Sequence, residues 1–314
     1  TVHLYNPSNG WLQNCNSTPF TVAGNESPKR NLYPAYMAPD GENFRGINAV
    51  RVLQEGSEYT IDKVISAGYD RRLAAFEVLI PALVEAFEKT VQPSDSLFAY
   101  LAGPIAVLKS WDKKASESSI ALTLAVTWGE KIIPAIYQLK PAEGMGSDQV
   151  SLTRQFAATA DSAALLDPLM DAIRELTARY GRWQIPWGSI NRFQRISGKV
   201  ENVFDDKAPS IPVGFASSLW GMLPSYNSRI YPDTRYRYGV NGNSFICAVE
   251  FGKKITAKSL LAGGESGHPH STHFFDQGEN YAKGIFKEVY FYKEDVMKHA
   301  ASNYHPGEAA NDSQ

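Results

Sequence analysis

Four groups of residues in this chain could do chemistry. Gly10-Trp11-Leu12-Gln13-Asn14-Cys15-Asn16 carries two asparagines one residue apart, and an Asn side-chain amide is a neutral donor suited to a developing oxyanion. His268-x-His270-x-x-His273-x-x-Asp276 collects three of the six histidines beside a carboxylate, a donor set that binds zinc. Thr1 offers a hydroxyl next to a free α-amine, the pairing in which the amine serves as base for attack on an amide carbon. Cys15 offers a thiol. Each has a plainer reading. Asn-x-Asn in a Gly- and Pro-rich stretch is ordinary turn chemistry. The histidines can be a hydrogen-bonded loop, Thr1 the end left by a secondary cleavage, and Cys15 a thiol with no neighbour to depress its pKa.

Positioning such groups takes a folded scaffold, and the composition supplies one. The 314 residues are 43% hydrophobic and 20% charged, enough to bury a large core. With 31 basic and 33 acidic residues the net charge is −2, so no strong field recruits nucleic acid or anionic lipid. The spacing of polar residues predicts no apolar run near the roughly 20 residues of a membrane helix. The first residue is not Met and no leader-like segment follows, which reads as a processed or excised chain with a piece upstream. Cys15 and Cys247 define no disulfide framework and read as two unlinked buried thiols.

Three zones follow along one domain. Residues 1–42 are loop-rich around one or two strands, the first over residues 1–5. Residues 43–181 have helical periodicity. One helix, capped by Thr60, carries the stripe from Ile61 to Phe87 and bends at Pro81. A second covers about 118–138, with Pro134 near its end. A third spans residues 147–180, with Pro168 as a kink and Leu166, Leu169, Ile173, Leu176 and Tyr180 on one face. These stripes are core packing. Residues 182–314 are strand-rich, with strands over 183–190, 235–240 and 245–251 and a turn at Asn241-Gly242-Asn243.

Taken in order, the opening Asn motif, Arg45-Gly46-Ile47-Asn48-Ala49-Val50-Arg51, the segment Trp187-Gly188-Ser189-Ile190-Asn191-Arg192, Gly263-Gly264-Glu265-Ser266-Gly267 and Ser271-Thr272-His273-Phe274-Phe275-Asp276-Gln277 resemble the distal part of the penicillin acylase and acyl-homoserine lactone acylase family of N-terminal-nucleophile hydrolases. The likeness covers most of the chain. Thr272 stands where the family has Pro, Cys15 where it has a bulky apolar residue, and the step from Asn16 to Arg45 is several residues longer.

The resemblance implies an α+β fold, part of an αββα sandwich with a helical region beside it. It implies hydrolysis of an N-acyl amide through an acyl-enzyme. Asn16 is the implied oxyanion residue, and Arg45 the residue that orders the site. The nucleophile, a Ser or less often Cys or Thr freed when a zymogen cleaves itself, lies on an upstream polypeptide, so the implied partners are an α subunit and the N-terminal part of the β subunit. No cofactor is required, although a structural calcium occurs in the family and Glu26 is the nearest candidate ligand. His273, Asp276 and Gln277 fall on a structural turn. Family members act on penicillins and other small N-acyl compounds, and their export points to the periplasm or beyond. A non-catalytic binding or scaffold module of the same fold, and a zinc hydrolase built on the histidine loop, are the competing readings.

Overall fold

The computed structural model describes residues 1–305 and 307. The opening stretch carries only short 3-10 turns, at Pro19–Thr21, Gly24–Glu26 and Arg30–Leu32. The strand expected over residues 1–5 does not form. Its alternation is real, but among the described residues no neighbouring strand pairs with it, and a lone strand has nothing to satisfy its backbone.

Seven helices follow: α1 Phe44–Glu55, α2 Ile61–Gly68, α3 Ala74–Thr90, α4 Ser96–Ser110, α5 Ile120–Gln138, α6 Gln149–Thr159 and α7 Ser162–Tyr180. The expected single helix from Thr60 onward is two. Thr60 does cap α2, its Oγ1 accepting from Lys63 N at 3.3 Å. The chain then leaves helical geometry because its backbone is claimed from elsewhere: Leu73 N donates to Lys113 O and Ala115 N to Arg71 O, both at 2.9 Å. The expected helix over 147–180 is likewise α6 and α7. Asp161 divides them, its Oδ1 accepting from Ala164 N at 2.8 Å as the α7 cap. Pro81, Pro134 and Pro168 all lie inside helices, in α3, α5 and α7.

The core is the meeting of α3, α5, α6 and α7, with α4 laid against α3 and α5. Phe76, Leu79, Leu83, Leu122, Trp128, Leu169 and Ile173 are all buried in it. Gly129 allows the closest approach: a Cβ there would sit 2.6 Å from the Trp220 ring. By length and composition α5 could cross a bilayer, contrary to the sequence reading. Its residues 121–129 are all buried inside the protein, however, and it serves as the central core helix.

The strand zone contains α8 Trp187–Ile190, β1 Asn191–Phe193, β2 Ile211–Pro212, β3 Tyr226–Ile230, β4 Arg237–Gly242, β5 Phe245–Phe251, β6 Ile255–Leu261, α9 Gly278–Lys283, β7 Lys287–Glu288 and α10 Lys293–His299. A mixed sheet runs β2-β1-β4-β3, with β1 parallel to β4 and the other pairs antiparallel. An antiparallel sheet runs β5-β6-β7. The strand expected over 183–190 is corrected to a helical turn, because Trp187 N and Gly188 N donate to Ser119 O and Glu117 O across the chain. The strand begins only at Asn191, whose buried Nδ2 bonds Val213 O at 2.8 Å and Phe215 O at 3.0 Å. Asn241-Gly242 is the end of β4 rather than a hairpin turn. Helices and sheets thus make an α+β architecture, and Arg237 of β4 ties the two parts by a bond from Nη1 to Glu130 Oε2 of α5 at 3.0 Å.

Candidate active site

The first turn of α1 holds the Asn14-Cys15-Asn16 segment. Asn43 is the α1 cap: its Oδ1 accepts from Gly46 N at 2.8 Å. The other end of the same amide, Nδ2, donates to Cys15 O at 3.0 Å and to Asn16 O at 3.3 Å. Arg45 adds a second grip. Its Nη2 donates to Cys15 O at 2.7 Å and to Asn16 Oδ1 at 2.5 Å. Asn14 Oδ1 accepts from Asn16 N at 2.8 Å. Gly46 permits this closeness, since a Cβ there would fall 2.8 Å from Ser17 Oγ. Asn16 itself has φ +55°, a left-handed conformation that Asn tolerates better than most residues.

This arrangement fixes which way the Asn16 amide faces. A guanidinium can only donate, so the atom it meets is the carbonyl oxygen. The Nδ2 donors of Asn16 are left without a partner among the described residues, on an exposed side chain. The sequence-predicted pair, Asn16 and Arg45, is therefore in direct contact. The Cys15 thiol is half-buried, and burial pushes its pKa up despite the opposing pull of Arg45, the reverse of what a nucleophilic thiol needs. Cys15 and Cys247 are unlinked, and Cys247 is exposed rather than buried.

Beneath this lies a polar network that the sequence reading missed. Buried Asn48 donates from Nδ2 to Asp70 Oδ1 at 2.9 Å and accepts from Arg51 Nη2 at 2.8 Å, while Arg51 pairs with Asp70 at 2.9 Å. Burial alone would raise the Asp70 pKa. The hydrogen bonds from Asn48, the Arg72 amide and Arg51 outweigh it and hold the carboxyl below its usual value. Asn43 was findable as a helix cap from its position just before α1. Asn48 and Asp70, 22 residues apart, carry no local signal.

The other sequence candidates lie apart from this pair. Thr1 is exposed, its hydroxyl against His3. His273 Nδ1 meets Asp276 Oδ2 at 2.8 Å, and His268 and His270 are exposed. The surrounding loop is braced by Gln277 N to Gly263 O at 2.8 Å, Leu261 N to Gln277 Oε1 at 3.1 Å and Arg195 Nη1 to Phe274 O at 2.5 Å. Among the described residues no three His, Cys, Asp or Glu side chains gather as a metal site. Glu26 is exposed in its 3-10 turn.

The family model described as penicillin amidase matches residues 1–298. This chain belongs to the penicillin amidase family. Among solved structures it is similar to a thermostable penicillin G acylase from Alcaligenes faecalis in an orthorhombic crystal form, with a TM-score of 0.51 and 18% identity. The match covers 96% of this chain and 57% of that one. At that identity the likeness speaks for the fold, and this member of the penicillin amidase family spans somewhat over half the length of the acylase chain it resembles.

Proposed function

We propose that this chain is the distal part of an acylase-type hydrolase that cleaves an N-acyl amide through an acyl-enzyme. Asn16 donates from Nδ2 to the oxyanion of the tetrahedral intermediate, and Arg45, bound to the opposite end of the same amide, keeps the donor facing outward. The nucleophile is a Ser, less often Cys or Thr, on an upstream polypeptide of a self-cleaving precursor, and the mature protein is exported to the periplasm or beyond. The substrate is a small N-acyl compound.

The observation that carries this reading is the 2.5 Å bond from Arg45 Nη2 to Asn16 Oδ1. It fixes an otherwise rotatable amide before substrate arrives, and preorganised donors of this kind supply a large share of catalysis. The free edge of β5 supports the reading of a partner polypeptide. Within the described residues β5 pairs with β6 alone, and Phe245, Val249 and Phe251 on one face are 62%, 43% and 84% exposed. An added strand from the upstream polypeptide would pair with that edge, and a layer packed on the face would extend the sheet toward an αββα sandwich.

The test begins with the intact masses of all polypeptides in the purified protein under denaturing conditions. A second species beginning with Ser, Cys or Thr is expected, together with hydrolysis of a chromogenic N-acyl anilide. In that assembly Arg45→Met should lower kcat with little change in KM, because it loosens a group that acts in the transition state. Amide hydrolysis by the 34.7 kDa chain alone would overturn the reading, as would an Arg45→Met enzyme with unchanged kcat.

A further inference from the structure

A second concavity lies in the strand zone, and neither Asn16 nor Arg45 lines it. It encloses about 300 Å³ between the end of β4, the start of β5 and the loop after β1, at the small end of the range for ligand cavities. Its chemistry is lopsided. Among the described residues Arg195 and Lys199 are its only charged lining groups, and no Asp or Glu lines it.

Neither cation is neutralised. Arg195 spends its guanidinium on the carbonyls of Phe274 and Gly264, at 2.5 and 3.4 Å, and stacks over the Phe274 ring at 4.1 Å. It meets no carboxylate among the described residues. Lys199 makes no ion pair there either and stands exposed at the rim. The loop carrying it is pressed down by Gly198, where a Cβ would come within 2.6 Å of Gly267 O.

Aromatic residues share the lining. Phe193 and Tyr226 meet edge-to-face at 6.0 Å. Tyr226 is held in place by its own hydroxyl, which donates to Arg192 O at 2.7 Å. Gly239 beside it leaves the room, since a Cβ there would fall 2.1 Å from that hydroxyl. Asn241 and Asn243 bring amide groups to the same cavity, and within the described residues their side chains make no hydrogen bond. Uncompensated positive charge, spare amide donors and aromatic lining in one small cavity suit a small anion with an apolar body.

We infer that this cavity is a binding site for a small organic monocarboxylate bearing an aromatic or similar apolar group. The carboxylate lies toward Lys199 and Arg195 and the apolar body against Phe193 and Tyr226. This inference is independent of the acylase reading, because it uses none of the residues at the Asn16 site.

Isothermal titration of the protein, as purified with any partner polypeptides, tests it with three probes: benzoate, its neutral isostere benzamide, and inorganic phosphate. Benzoate is expected to bind saturably at millimolar concentration or below, and benzamide at least about tenfold more weakly, the ratio that about 1.4 kcal/mol provides. Lys199→Met, at an exposed position, should weaken benzoate about fivefold and leave benzamide unchanged. Three outcomes would overturn the inference. One is the absence of saturable benzoate binding up to about 10 mM, where an affinity of roughly −4 kcal/mol would still be seen. The second is equal binding of benzoate and benzamide. The third is phosphate binding as tightly as benzoate, since the site would then read charge alone.

Discussion

Replacing Asn16 by Asp separates holding the site together from doing the chemistry. The two side chains have the same shape, and both tolerate the +55° φ at this position. The acceptor that Arg45 grips at 2.5 Å survives. It even gains charge, worth about 0–1 kcal/mol for a solvent-exposed pair. What disappears is the Nδ2 donor, which becomes a carboxylate oxygen facing the place where negative charge develops. Loss of one oxyanion donor costs about 2.7–4 kcal/mol, or roughly 10²–10³ in kcat. The variant should therefore unfold at the same or slightly higher urea concentration than the wild type. In the complete assembly, hydrolysis of a chromogenic N-acyl anilide should fall at least 10²-fold in kcat. Activity within tenfold of wild type would refute the reasoning. So would a large loss of stability, because the Arg45 contact would then not be what the geometry describes.

The remaining predictions concern the scaffold. Gly129→Ala gains about 1 kcal/mol of helix propensity but forces a methyl to within 2.6 Å of the Trp220 ring. Overpacking of about 1–3 kcal/mol should leave a net loss, read as a lower urea midpoint with unchanged slope. Asp161→Ala removes the α7 cap and should cost about 1 kcal/mol by the same measurement. Asp70 has a folded pKa below its unfolded one. Its contribution is thus present above the ordinary Asp range and is lost as pH falls through the folded value. Asp70→Asn should accordingly flatten the acid limb of a stability–pH profile, and an unchanged limb would count against the network.

What the sequence made legible was what short segments decide for themselves. Residues 245–251 read as a strand and form β5 with those bounds, because the segment is rich in β-branched and aromatic residues. The helix expected over about 118–138 is α5, whose cap Ser119 accepts from Leu122 N at 3.0 Å. Most of the failures are non-local. Residues 71–73 leave the helical path because residues 113–115 take their backbone groups. Residues 187–190 coil because 117 and 119 do the same. At the candidate site, Asn16 and Arg45 were reached through the family's motifs, whereas Asn48 and Asp70 have meaning only once α1 and the 70–72 segment meet. Asp161 is a different lapse: a cap signal was present locally and was overridden by a continuous apolar stripe.

The contact between Asn16 and the first turn of α1 also sets how this region can lengthen. The excursion that leaves after Asn16 comes back to where it started. Thr18 N donates to Gly41 O at 3.0 Å, and Asn43 and Arg45 both close onto Cys15 O. The intervening residues form a loop pinned at its neck, and the entropy of closing such a loop rises only about 0.6 kcal/mol for each doubling of its length. Residues can be added to the excursion at small thermodynamic cost while the neck, and with it the Asn16–Arg45 pair, stays as it is. A change in the Asn-to-Arg interval is the kind of variation such a neck absorbs. Relatives are better recognised by the two ends of the loop than by the count of residues between them.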